Sequence, residues 1–294
     1  MKKIFIVPYR DREPQKEIFL NQMEKLLVNE KDYEIIICHQ CDKRKFNRGG
    51  VKNIGFLYAK EKYSNWKDIT FIFHDIDYLP YKKIFDYETT HGTVTHFYGF
   101  DFAFGGIWAI KGSDYEKIKG FPNYWAWGYE DNKIRDKWIK SGGKINNSQF
   151  IFYTDKRIVK LDCSNEAHEK RKEVGCYNLH LALKDKIETS GYHTIRELKY
   201  TVETERENVK MINITNFLTE RSEELQKYAY NISSKEIATD YKNRKNREIQ
   251  QTKKGPKMSM NIMMAARPRI NNNQRTYIKK NNSLTFSHYR FKKR

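Results

Sequence analysis

No stretch of this 294-residue chain approaches the roughly 18 consecutive apolar residues that a membrane-spanning helix requires. The opening Met1-Lys2-Lys3 is basic and "IFIV" follows, but that run is about half the length of a signal core and leads to no small-residue cleavage site. A cytoplasmic chain is expected. Cysteine is scarce as well: Cys38, Cys41, Cys163 and Cys176 are the only four. "CHQC" has the spacing of half a zinc site, but the other two are far away and too widely spaced to complete it. Neither a structural zinc nor a disulfide framework is expected, and the thiols are read as reduced. The Asn-x-Ser/Thr matches at Asn213 and Asn231 carry no glycosylation in that setting. Acid is nearly missing from residues 241–294, where 16 Lys/Arg face Glu248 alone, a net of +15 out of a total of +19. The basicity of the chain is therefore a property of its tail. No internal repeat is present.

Hydrophobic residues make up 38 % of the chain and aromatics 14 %, so a core carried by Tyr, Phe and Ile is expected. "KIFIVPYRDR" opens with an apolar run ended by Pro8, the pattern of a buried parallel strand. Phe19, Leu20, Met23, Leu26 and Leu27 then recur at helical spacing, and "YEIIIC" (33–38) is a second buried strand. A second helix fits "NRGGVKNIGFLYAK", with Val51, Ile54 and Tyr58 on one face, and "ITFIFH" (69–74) is a third strand. This βαβ opening predicts an α/β fold with a sheet flanked by helices. Strands over 93–98 and 105–111 follow. A short helix is then predicted, opened by a Ser113-x-x-Glu116 capping box and closed by Gly120. The remaining expectations are a helix from Glu130 to about Lys140, strands at "QFIFY" and "RIVKL", and a helix over 218–240. The tail from 241 is too polar to bury itself and is predicted to be disordered.

"FHDIDYLP" ends an apolar run in two aspartates. Asp75 and Asp77 fall at the carboxyl end of a central strand, where open α/β sheets place their ligands. Two carboxylates there can converge on one hard divalent cation such as Mn²⁺ or Mg²⁺, which keeps positions open for phosphate. Taken alone, an Asp-x-Asp is more often a turn cap and a solvated acid. Arg10 and Arg12 after the first strand, and Phe46 and Arg48 at the start of a helix, suit forked diphosphate binding and base stacking. "YWAWGYED" concentrates Tyr124, Trp125, Trp127 and Tyr129 beside Glu130 and Asp131. It is either a wedge in the core or a sugar-binding surface whose acids hold hydroxyls.

"PYRDR", "FNRGGVKNIGF", "FHDIDYLP", "FGGIWAIKGSDYEKIKGFPNYWAWGYED" and "GYHTIRELKY" occur in the order of the β-1,4-galactosyltransferase family, which residues 1–217 resemble. The resemblance implies a GT-A fold with a nucleotide-binding mixed sheet, and an inverting, manganese-dependent UDP-sugar transferase; the helical and basic C-terminal extension is read from composition and lies outside it. It places Pro8, Arg10, Arg12, Phe46, Arg48, Asp75 and Ile76 on the uridine diphosphate and Asp77 on the metal. Gly105, Gly106 and Ala103 fall by the donor sugar, under a covering Trp127. Glu130 and Asp131 fall at the acceptor hydroxyl, with Asp131 as base. The "HD" before Ile76-Asp77 is similar to the branch that acts on xylose. The further metal ligand, a histidine in most relatives, is Asp162 by register or His168 a little beyond.

Ala103 stands where galactose-transferring relatives often carry a tyrosine, so the smaller side chain implies room for an N-acetyl group at C2 of the donor sugar. Asn132 stands where a third acid is usual, which leaves the acceptor open among glycans, glycoproteins and glycolipids. The Lys-, Asn- and Ile-rich composition suits a bacterium or a large DNA virus. Two other readings stay open. One is an inactive transferase fold that binds nucleic acid or an anionic membrane through the tail. The other is a retaining or polypeptide-directed transferase with its own Asp-x-acid site.

Overall fold

The computed structural model describes residues 2–126, 128–161 and 189–222. The expected helix beyond 222, the tail 241–294 and the site candidates Trp127, Asp162 and His168 lie outside the described residues. In chain order the elements are β1 (Lys3–Tyr9), α1 (Glu13–Leu26), β2 (Tyr33–Gln40), α2 (Arg48–Lys62), β3 (Thr70–His74), β4 (Tyr78–Pro80), β5 (Thr93–Gly99) and β6 (Ile107–Lys111). They continue with α3 (Gly112–Lys117), α4 (Glu130–Lys140), β7 (Lys144–Asn146), β8 (Ile151–Phe152), β9 (Ile158–Lys160), a 3-10 turn at Tyr192–Thr194, β10 (Arg196–Arg206) and β11 (Val209–Leu218).

The main sheet runs β10-β11-β2-β1-β3-β6-β5-β7, with β8 also paired to β5. Strands β11, β2, β1 and β3 are mutually parallel, and β6 enters antiparallel to both β3 and β5, which makes the sheet mixed as expected. Alternate residues of β1 point to opposite faces. Ile4 and Ile6 join Val51, Ile54 and Phe56 of α2 and Ile134 and Trp138 of α4 in one core. Phe5 and Val7 join Phe19, Leu20 and Met23 of α1 in the other. Helices on both faces leave the carboxyl ends of β1 and β3 as the open rim.

Four expectations are corrected. Pro8 does not end its strand: β1 continues to Tyr9, with Pro8 opposite Cys38 of β2. Pairing with β3 covers only Lys3–Ile6, so by Pro8 one flank of β1 has no partner strand among the described residues and the missing N–H is tolerated. Ser113 is not a cap. Lys111 is the N-cap of α3, while the Ser113 hydroxyl meets His91 Nδ1 at 3.0 Å and Glu116 accepts from Lys60. The strand expected over "QFIFY" reduces to Ile151–Phe152. The helix expected from 218 does not start there. Leu218 closes β11, and residues 219–222 continue without helix because Phe217 is anchored in the core, stacked on Trp125 at 5.3 Å.

The β10–β11 hairpin was not expected at all. Strand β11 lies beside β2 and buries Ile212, Ile214 and Phe217 completely.

Candidate active site

Four pieces of chain meet at the rim: the end of β1, the start of α2, the end of β3 and the start of α4. Asn47 caps α2, its side chain accepting from the Gly50 N–H at 2.8 Å and donating to the Asn123 carbonyl at 3.1 Å. That clamp seats α2 on the "FPN" segment just ahead of α4. Arg48 is the first residue of α2, and a cation there sits at the unfavourable end of the helix dipole. Acids from elsewhere in the fold compensate.

Arg48 donates through Nε to Glu130 Oε1 at 2.6 Å and through Nη1 to Asp75 Oδ2 at 3.0 Å, and its Nη2 pairs with Asp131 Oδ2. One turn along the same helix face, Lys52 Nζ lies 3.3 Å from Asp75 Oδ1 and 3.5 Å from Asp131 Oδ1. Two cations of α2 thus hold three carboxylates from β3 and α4. Glu130 and Asp131 occupy the first turn of α4, where the helix dipole favours them, and Glu130 Oε2 also accepts from the Gly128 N–H at 3.2 Å.

The environment drives the carboxyl groups apart. Burial pushes Asp131 up to about 6, helped by Glu130 and Asp75 and opposed by Arg48 and Lys52. Burial also works against the charge of Asp75, but Arg48 and then Lys52 outweigh it and hold that group at about 2. One carboxylate is fixed in its charged form, and the other can exchange a proton near neutrality. Asp77 is more exposed than the carboxylates of this cluster. Its carboxylate pairs with Arg12 Nη1 at 2.9 Å, while burial and the neighbouring Asp75 raise its pKa.

The remaining candidates are distributed around this centre. Arg10 donates to the carbonyls of Arg44 and Asp42, which ties the end of β1 to the turn before α2. Phe46 is half-buried against the core. The Ile76 side chain is in the core at 3 % exposure, which leaves only its backbone for a ligand. Gly106 has φ +75° and room for no side chain, since a Cβ would meet the Tyr98 carbonyl oxygen at 2.5 Å. Its carbonyl accepts from the Asp75 N–H at 3.0 Å. A Cβ on Gly105 would lie 3.1 Å from Asp131 Oδ2, so this glycine gives the carboxylate its space. Ala103 is buried, and Asn132 Nδ2 donates to the Phe102 carbonyl at 3.4 Å.

The aromatic run divides between its two readings. Tyr124 and Trp125 are each 1 % exposed and belong to the core, and the Trp125 ring also carries Arg44 at 4.5 Å. Ala126 (φ 65°), Gly128 (φ 118°) and Tyr129 (φ 67°) all take positive φ on either side of Trp127. Two of these residues have side chains, so strain is stored at this turn. His74 is buried and neutral, lowered to about 4 by desolvation, and its Nδ1–H donates to the Asp75 carbonyl at 3.0 Å. Sequence reasoning missed Lys52. Its signal was its position four residues after Arg48 on a helix, a spacing that puts both on one face.

Among the described residues, no group of three or more His, Cys, Asp or Glu forms a metal cluster. The Leu161 N–H donates to the Asp77 carbonyl at 2.8 Å.

A family model described as the N-terminal region of glycosyl transferase group 7 matches residues 1–89. A second, the N-terminal domain of galactosyltransferase, matches residues 87–160, and the two together cover more than half of the chain. Human β-1,4-galactosyltransferase 4 is 33 % identical over 144 residues, 44 % of this chain and 40 % of that protein. The chain therefore spans well under two thirds of that relative. The crystal structure of the catalytic domain of Drosophila β-1,4-galactosyltransferase 7 in complex with xylobiose is similar with a TM-score of 0.64 at 22 % identity, covering 79 % of this chain and 99 % of that one. A mutant of the same Drosophila enzyme, in complex with manganese, UDP-Gal and xylobiose, is similar with a TM-score of 0.62 at 22 % identity, over 78 % and 98 % of the two chains.

Proposed function

Because the chain belongs to glycosyl transferase group 7, we propose that it is an inverting transferase that moves a hexose or N-acetylhexosamine from a UDP-sugar to a sugar hydroxyl. The observation that carries this reading is the convergence of Asp75, Glu130 and Asp131 on Arg48 and Lys52 at the carboxyl ends of the parallel strands. A carboxyl group near 6 beside the Arg48 guanidinium combines a base with a diphosphate ligand.

In this mechanism Arg10, Arg12 and Arg48 face the diphosphate, and Glu130 orients the acceptor hydroxyl. The Asp131 carboxylate takes the hydroxyl proton as its oxygen attacks the anomeric carbon from the face opposite the diphosphate. The bond from that carbon to the phosphate oxygen breaks, UDP leaves with its electron pair, and the centre inverts. Asp77, with Asp162 or His168, would hold a divalent manganese. The hard carboxylate oxygen of Asp77 suits such an ion, and by register Asp162 is the first choice for the second ligand. Bound there, the ion would neutralise the charge that develops on the departing diphosphate.

The buried Ala103 supports a donor with an N-acetyl group at C2 as readily as one without. Xylobiose in the Drosophila structures and the "HD" sequence support β-xylosides as first acceptors to try. The test is UDP release from UDP-Gal, UDP-GalNAc, UDP-GlcNAc and UDP-Glc, with Mn²⁺ or EDTA, and with β-xyloside or β-GlcNAc acceptors. Manganese-dependent release from one donor, enhanced by one acceptor, is expected. Absence of release together with absence of donor binding by calorimetry would overturn the reading.

A second reading, an inactive transferase fold that binds polyanions, is favoured by the +15 carried by residues 241–294.

A further inference from the structure

We propose that Lys52 is a positioning residue of this site, a buried counter-cation that keeps the Asp131 carboxylate aimed at the acceptor when Arg48 turns to the diphosphate. The inference rests on Asp131 acting as the base. Arg48 and Lys52 divide the same two carboxylates between them. Arg48 takes Oδ2 of Asp75 and Oδ2 of Asp131, and Lys52 takes Oδ1 of each. Among the described residues no group other than the Lys52 ammonium, at 3.3 and 3.5 Å, is placed to compensate either Oδ1.

The two cations differ in reach. The Arg48 side chain is 19 % exposed and can meet a ligand in the crevice. That of Lys52 is 1 % exposed and lies 4.7 Å from the centre of the Phe121 ring, so it touches neither donor nor acceptor. A buried ammonium is costly unless it is paired, and two carboxylates with an aromatic face supply that pairing. The charged groups around Asp131 are Arg48 and Lys52 from α2, Asp75 from the end of β3 and Glu130 from its own helix. Three acids face two cations in the ligand-free site. If the guanidinium is drawn to a diphosphate, Lys52 is the cation left beside Asp75 and Asp131. Without it Asp131 would take up a proton and lose its function as base.

The experiment follows Asp131 in two ways: its side-chain carboxyl ¹³C titration in the ligand-free protein, and the acid limb of kcat/KM against pH. Lys52→Met should move both to higher pH by about one unit or more, which is about a tenfold loss of kcat/KM below the limb. The loss should be recovered by raising the pH. Lys52→Arg, which keeps the charge, should stay close to the wild-type limb. Lys52→Gln keeps volume and a donor without charge and serves if the methionine variant fails to fold. A purely structural lysine would lower activity equally at every pH, and an unmoved Asp131 titration in a folded neutral variant would overturn the proposal. The carboxyl titration needs no turnover, so a failure of the transferase reading would be seen separately.

Discussion

Arg48 carries three bonds that no other side chain could make from one position, because only a planar fork presents three N–H edges to acids from two different elements. Arg48→Lys retains charge but at most one of those contacts. It should cost about 2–3 kcal/mol of stability in urea titrations and weaken donor binding, since buried carboxylates lose their partner. Asp131 shows the opposite balance. Its folded pKa of about 6 lies above the unfolded value of about 3.9, so folding is favoured most below about pH 4 and that contribution is lost as the pH rises through 6. Asp75, held at about 2, favours folding above about pH 4 and loses that contribution as the pH falls toward 2. Asp131→Asn should therefore raise stability by about 1–3 kcal/mol at pH 8 and by almost nothing at pH 4. The same substitution should lower turnover by at least about a hundredfold. Equal stability of the two proteins at pH 8 would contradict the burial argument for this carboxyl group.

At the scale of elements, the seat of α2 decides whether these residues meet. A Cβ on Gly49 would lie 2.2 Å from the backbone oxygen of Pro122, and backbone cannot swing aside as a side chain can. Alanine is the better helix former by up to about 1 kcal/mol. The clash exceeds that gain, so Gly49→Ala should destabilise the fold by about 2 kcal/mol and lower activity by displacing Arg48, as read by chemical denaturation and UDP release. Unchanged stability would show that the helix can back away. The sequence made α2 legible because Val51 and Ile54 mark its buried face, and α4 legible because Gly142 follows its last turn. The β10–β11 hairpin was not legible. Asn213, Thr215 and Asn216 interrupt the apolar pattern of β11, and β10 is an outer strand rich in Lys, Glu and Arg, as exposed sheet edges are. The acids of the site could be picked out from their types and their place after strands. Their sharing of Arg48 and Lys52 could not, because it depends on how α2 packs against the segment before α4.

At the scale of the whole molecule, the charge is divided so sharply that the two proposed activities can be tested by one cut. Residues 1–240 hold the described site and only +4 of the +19, and residues 241–294 hold the rest. Binding carried by that many cations releases counterions, so affinity for heparin or DNA should fall steeply as salt rises, with a log–log slope of several units. In a chain ending at residue 240, polyanion affinity and its salt dependence should collapse. Turnover of a small uncharged acceptor should persist within about threefold, because no residue of the Arg48 cluster is removed and such an acceptor offers the tail no charge to bind. Loss of both activities would mean that the tail supports the transferase itself. Retention of polyanion binding would move the basic surface onto residues 1–240, where 40 Lys/Arg are nearly balanced by 36 acids. If turnover persists on the small acceptor and falls only on a large anionic one, the tail is a tether that raises the local concentration of acceptor, and its effect should vanish at high salt while the chemistry at Asp131 is unchanged.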